Sequence, residues 1–151
     1  MKTSLRIAFA SATLIALMML MPRAAAAGQS QRFGHYIVYY SAISTDLLTP
    51  EVANAYGYQR SSHKGLVNIA IKRDAGNGVE QAVAGKVDGS AVNLSGQRVP
   101  VEFKEVKEDD AVYYLGTFPI SGSDTLRFDL TVTPTGDTPH KLVFSRDYVI
   151  D

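Results

Sequence analysis

The sequence predicts a mainly β chain: a single antiparallel sandwich, immunoglobulin-like, with about seven strands and one short helix near residues 50–56. Three observations predict it. Apolar residues recur at every second position through most of residues 65–150. Clusters of Gly, Pro, Asn and Asp interrupt them at the spacing of roughly 8 to 12 residues expected of such sandwiches. A lone Thr-Pro-Glu start followed by a glycine stop marks the helix. A closed antiparallel barrel satisfies the same alternation and stands as the alternative, because strand periodicity does not report closure. Without a Cys or a Trp, the disulfide and core Trp of an antibody-type domain are excluded.

Residues 1–27 read as a cleaved signal peptide. Lys2 and Arg6 supply the charged start, Ile7 to Met21 the apolar run, and Ala25-Ala26-Ala27 the small-residue cleavage site. The run is shorter than the roughly 20 residues that span a bilayer, and with no Cys a lipid anchor is excluded. Export to the periplasm is expected, with secretion as the alternative. Cleavage would remove Lys2, Arg6 and Arg23, leaving residues 28–151 as one domain with 12 basic and 15 acidic side chains. All four Met (1, 18, 19 and 21) would leave too, and thiol nucleophiles, thiol redox chemistry and sulfur metal ligands with them.

Along the remaining chain, Gly28 to Arg32 reads as a loose polar lead. Phe33 to Ile43 is a strand apolar on both faces at Tyr36-Ile37-Val38-Tyr39-Tyr40, which implies cover on both sides or an aromatic surface. Thr49 is placed to cap the helix, Pro50 to start it, Glu51 to complement its positive end and Gly57 to stop it. Two turns of helix are not stable alone, so Val52, Ala55 or Tyr56 should dock on the sheet.

Leu66 to Lys72 alternates cleanly before the turn at Asp74 to Gly78. Val79 to Leu94 follows, with a bend expected near Gly85 or Gly89. Val99 to Lys104, Ala111 to Phe118, Leu126 to Val132 and Lys141 to Ile150 complete the strands.

Several stretches resemble one family: Gln31-Arg32-Phe33-Gly34 with Tyr36 and Tyr40, Leu48-Thr49-Pro50-Glu51-Val52-Ala53 with Ala55-Tyr56-Gly57, Arg60-Ser61, Gly65-Leu66-Val67-Asn68, Tyr113-Tyr114 and Leu126-Arg127-Phe128. The chain is similar to an uncharacterised family of short exported bacterial proteins, a domain of unknown function. The resemblance implies export and a small β domain. It transfers no catalytic residue, and where the family form often carries an acidic residue this chain has His35.

Recognisable chemistry is sparse. His35, His63 and His140 are far apart in sequence, and Glu108-Asp109-Asp110 lacks the calcium-loop pattern. There is no G-x-S-x-G, phosphate-binding loop or G-x-G-x-x-G. Glu102 with Glu105, or Asp109 with Asp110, could be drawn as a carboxylate pair, but surface strands and turns commonly carry such pairs. The net charge opposes nucleic-acid binding, and Arg60, Lys64, Lys72 and Arg73 read as surface charge. No metal, cofactor or catalytic residue is expected.

What stands out is a concentration of tyrosine. Tyr36, Tyr39, Tyr56 and Tyr58, with Leu47 and Leu48, form a candidate binding patch, since tyrosine joins a large apolar body to a polar tip. The expected function is a non-catalytic periplasmic module that binds or assists an envelope protein, with edge-strand addition as one mode. The alternatives are a tyrosine-lined small-molecule or glycan site, then a hydrolase without a recognisable motif. That the same tyrosines plug one end of a sandwich is the simpler structural account.

Overall fold

The alternating segments pair into two antiparallel sheets. The computed structural model describes residues 29–150; the signal-peptide assignment and Gly28 lie outside them. The strands are β1 (Gln29–Phe33), β2 (Tyr36–Ser44), β3 (Lys64–Asp74), β4 (Glu80–Ala82), β5 (Gly85–Val92), β6 (Arg98–Pro100), β7 (Glu102–Glu108), β8 (Ala111–Pro119), β9 (Asp124–Pro134) and β10 (His140–Tyr148). One sheet runs β1-β2-β3-β8-β7, with β4 beside β3; the other runs β10-β9-β5-β6. The architecture is a two-sheet sandwich, not a closed barrel.

Three differences raise the strand count from the expected seven to ten. Gln29 to Arg32, read as a loose lead, is most of β1 and pairs in register from Gln29↔Tyr40 to Phe33↔Tyr36. Its polar composition concealed it because an edge strand with exposed side chains needs no apolar alternation. The run from Val79 breaks at Val83-Ala84, where β4 leaves the first sheet and β5 enters the second. Likewise β6 pairs with β5 whereas β7 pairs with β8, the buried Val101 marking the corner.

Gly85 makes the first corner possible. A Cβ there would stand 2.5 Å from the Thr133 carbonyl oxygen and 2.9 Å from Ile71 Cδ1. The bend expected near Gly85 therefore has a steric cause: only glycine lets these backbones approach so closely.

Val38, Val67, Ile69 and Ile71 of the first sheet face Phe128, Leu130, Val132 and Leu142 of the second. Aromatic rings bridge the layers. Phe144 stacks on Phe128 at 4.7 Å and on Tyr40 at 4.5 Å, and Phe118 meets Phe128 edge-on at 5.0 Å. Phe128 is fully buried, and burying such a side chain is worth roughly 1.5–3 kcal/mol.

The apolar character of β2 on both faces is explained by cover on both sides. Helix α1 (Pro50–Tyr56) lies over the outer face of the first sheet, where Val52 and Ala53 join Leu48, Leu66 and Leu115 in a second, smaller core. Thr49 Oγ1 accepts the Val52 N–H at 3.3 Å, and Gly57 stops the helix with φ of +71°. Ala53, not Ala55, is the buried alanine, because it shares the sheet-facing side of the helix with Val52 and Tyr56.

Candidate functional site

The segment from Ser44 to Ser61 carries most of the tyrosine-rich patch, and Thr45 anchors it. Thr45 is wholly buried in the 3-10 turn Thr45–Leu47. Its Oγ1 lies 2.8 Å from the Gln59 carbonyl and 3.1 Å from that of Ser61, and accepts the Ser61 N–H at 3.0 Å. One hydroxyl thus closes the base of the loop. Arg60 adds a strap, donating to the Asp46 carbonyl at 2.7 Å.

The six patch residues separate onto different surfaces. Tyr36 lies in the inward row of β2 and packs on the main core, whereas Tyr39 belongs to the outward row. Tyr39 Oη donates to the Glu80 carboxylate at 2.8 and 3.0 Å, and Lys72 Nζ lies 5.3 Å from its ring. Leu47 and Leu48 diverge: Leu47 is 56% exposed, Leu48 only 2%. Tyr56 and Tyr58 flank the smaller core with their rings nearly parallel, centroids 6.4 Å apart. Tyr56 Oη donates to Glu108 Oε1 at 2.7 Å.

These phenols are held in their neutral form. Burial, followed by the hydrogen bond to Glu108, raises Tyr56 far above the ordinary tyrosine value. Burial alone raises Tyr58, and burial with the nearby Glu108 charge raises Tyr113. At Tyr39 the hydrogen bond to Glu80 leads. The cluster offers aromatic area and neutral hydroxyls, not an ionisable nucleophile.

Sequence reasoning missed Glu108, Tyr113, Glu80 and Lys72 as members of this surface. Glu108 was read as a solvated hairpin tip, and only the fold brings it beneath Tyr56. The adjacent Tyr113-Tyr114 pair in an alternating strand was the available signal, since neighbouring side chains must face opposite sides.

The other candidates stay apart. Glu102 and Glu105 project to opposite faces of β7. Glu105 accepts from Tyr114 at 2.8 Å and pairs with Lys107 at 3.1 Å, contacts that lower its pKa. His63 Nδ1 contacts the Ile120 carbonyl at 3.2 Å; His140 Nε2 contacts Asp137 at 2.7 Å while its ring stacks on Phe33. Among the described residues no three His, Cys, Asp or Glu gather closely enough to hold a metal ion.

A family model described as a domain of unknown function, DUF4426, matches residues 30–151. The chain belongs to the DUF4426 family. A crystal structure of a DUF4426 protein from Pseudomonas aeruginosa PAO1 is 35% identical, covering 82% of this chain and 96% of that one, with a TM-score of 0.69. The fold extends further. FetP of uropathogenic E. coli strain F11, expressed recombinantly in the periplasm of E. coli, matches at 13% identity over 81% of this chain and 93% of its own, TM-score 0.58. A copper-bound variant of FetP matches at 13% identity over 82% and 95%, TM-score 0.57. At that identity FetP shares the fold alone with this DUF4426 chain. Among curated protein sequences none matches. No helix among the described residues is long and apolar enough to cross a membrane.

Proposed function

We propose that the protein is an exported, non-catalytic binding module of the periplasm that receives an extended segment of a partner protein along its β10 edge. One observation carries this reading. β10 is nine residues long and pairs with β9 on one side, and among the described residues no strand lies on its other side. Such an edge presents main-chain donors and acceptors that an added strand can pair. Val143, 48% exposed on this strand, gives the incoming chain an apolar contact.

Export is supported by residues 1–27, whose charged start, apolar run and small-residue end have the form of a cleaved leader. FetP, a neighbour in fold, was itself expressed in a periplasm. Leu47, exposed near the end of β10, and the outward Tyr39 and Tyr58 extend the candidate surface. The near-parallel Tyr56 and Tyr58 rings favour a second reading, a glycan or other small molecule stacked on tyrosine.

A photo-crosslinking residue at position 143 of the full chain tests the first reading in cells. The captured protein, added back to purified material, should slow amide exchange along residues 141–147. Equal capture from position 86 on β5, or exchange in β10 that does not change, overturns strand addition. Protection confined to residues 56–58 and 113 would favour the tyrosine surface instead.

A further inference from the structure

Where the end of β2 meets the end of β10, the two sheets leave a cleft of about 230 Å3. Its wall includes Ile43, Asp46, Leu47, Arg146, Tyr148 and Val149. Two polar atoms among these residues are closed to solvent and have no hydrogen-bond partner: Asp46 Oδ1 and Tyr148 Oη. Tyr148 is 7% exposed. Buried polar atoms are normally paired, and leaving them unpaired is unfavourable. Arg146, in the same wall, makes no ion pair among the described residues. The second acid at the cleft, Asp147, is already engaged, accepting the Thr125 hydroxyl at 2.7 Å.

The cleft thus holds a carboxylate and a guanidinium that do not pair with each other, a buried hydroxyl, and apolar side chains at its mouth. We infer that it binds a small zwitterion of α-amino-acid size. The ammonium group sits on the Asp46 carboxylate and the Tyr148 hydroxyl, the carboxylate on Arg146, and an apolar side chain against Leu47 and Val149. Both charge-assisted contacts are of the strong kind. The volume is below the roughly 300–1,000 Å3 of drug-sized sites, which favours a ligand this small. Leu47, 56% exposed, and Val149, 81% exposed, have the rotamer freedom to move aside for it. This site is separate from the β10 edge at Val143 and from the tyrosine cluster, so it stands or falls independently of both.

L-leucine is the probe. Titrated into the 15N-labelled full chain, it should shift the amides of Asp46, Leu47 and residues 146–149. Leucinamide, which keeps the ammonium but not the carboxylate, and 4-methylpentanoate, which keeps only the carboxylate, should each bind about tenfold or more weakly. Asp46→Asn and Arg146→Gln should weaken leucine to a similar degree while the remaining spectrum stays in place. Absence of shifts at those amides with millimolar leucine overturns the proposal. So does equal binding of the three compounds to the unsubstituted protein, a comparison that needs no variant to fold.

Discussion

The phenolic oxygen of Tyr114 accepts the backbone N–H of Gly85 at 2.7 Å, tying β8 of one sheet to the first residue of β5 in the other. Tyr114 also donates to Glu105 at 2.8 Å, so both of its hydrogen-bonding roles are used at the corner where the chain changes sheets. Tyr114→Phe keeps the ring but strands the Gly85 N–H. The expected loss is about 1–3 kcal/mol, read from urea unfolding. An unchanged midpoint would show that water replaces the hydroxyl at no cost.

The Thr45 hydroxyl predicts a local effect. In Thr45→Val the shape is preserved while the Ser61 N–H loses its acceptor and two carbonyls lose their donor. We expect a loss of about 1–3 kcal/mol. Amide exchange should quicken from Ser44 to Ser61 before it does in β9. Uniform acceleration would mean that Thr45 supports the whole fold rather than the loop.

Phe128 joins the sheets through Phe144 and Phe118 and is completely buried. Phe128→Ala should cost about 3–5 kcal/mol, the range for emptying a large aromatic site. Calorimetry of the purified protein measures it. A loss below about 1 kcal/mol would mean that the surrounding rings close the space.

Acid should weaken the contact between Asp137 and His140. The hydrogen bond from His140, then one from backbone, holds the Asp137 carboxyl below its ordinary value of 3.8. A depressed folded-state value means that the unfolded chain binds the proton more readily, so stability rises with pH across this window. The contribution is complete above the unfolded value and fades as pH falls through the lower folded one. Denaturant midpoints measured from pH 5 down to pH 2 should therefore fall less steeply for Asp137→Asn than for the unsubstituted protein. Parallel curves would refute the assignment.

The helix was legible in full because its instructions are local. Thr49, Pro50, Glu51 and Gly57 each act within one turn of themselves. The alternating strands were legible for a similar reason, since Val67, Ile69 and Ile71 face the core whatever their partners are. Sheet membership was not, because Val83 to Gly85 and Val101 change sheets without breaking the local alternation. β1 stayed hidden because its order comes from Tyr36 to Tyr40 across the ladder rather than from its own polar residues. The tyrosine patch was legible as composition only. Which tyrosine meets Glu108, and which faces the core, depends on α1 and β7 coming together over a long stretch of chain.

The two corners at Gly85 and Val101 carry a consequence for how the molecule meets its surroundings. Each sheet owns part of a continuous chain that ends in the other, so the layers are fastened by backbone instead of by sulfur. With no thiol to oxidise and no bridge to reduce, neither glutathione nor an oxidising foldase can alter this fastening. The folded domain is blind to redox potential, and it can assemble in either electrochemical environment without the help of a disulfide catalyst.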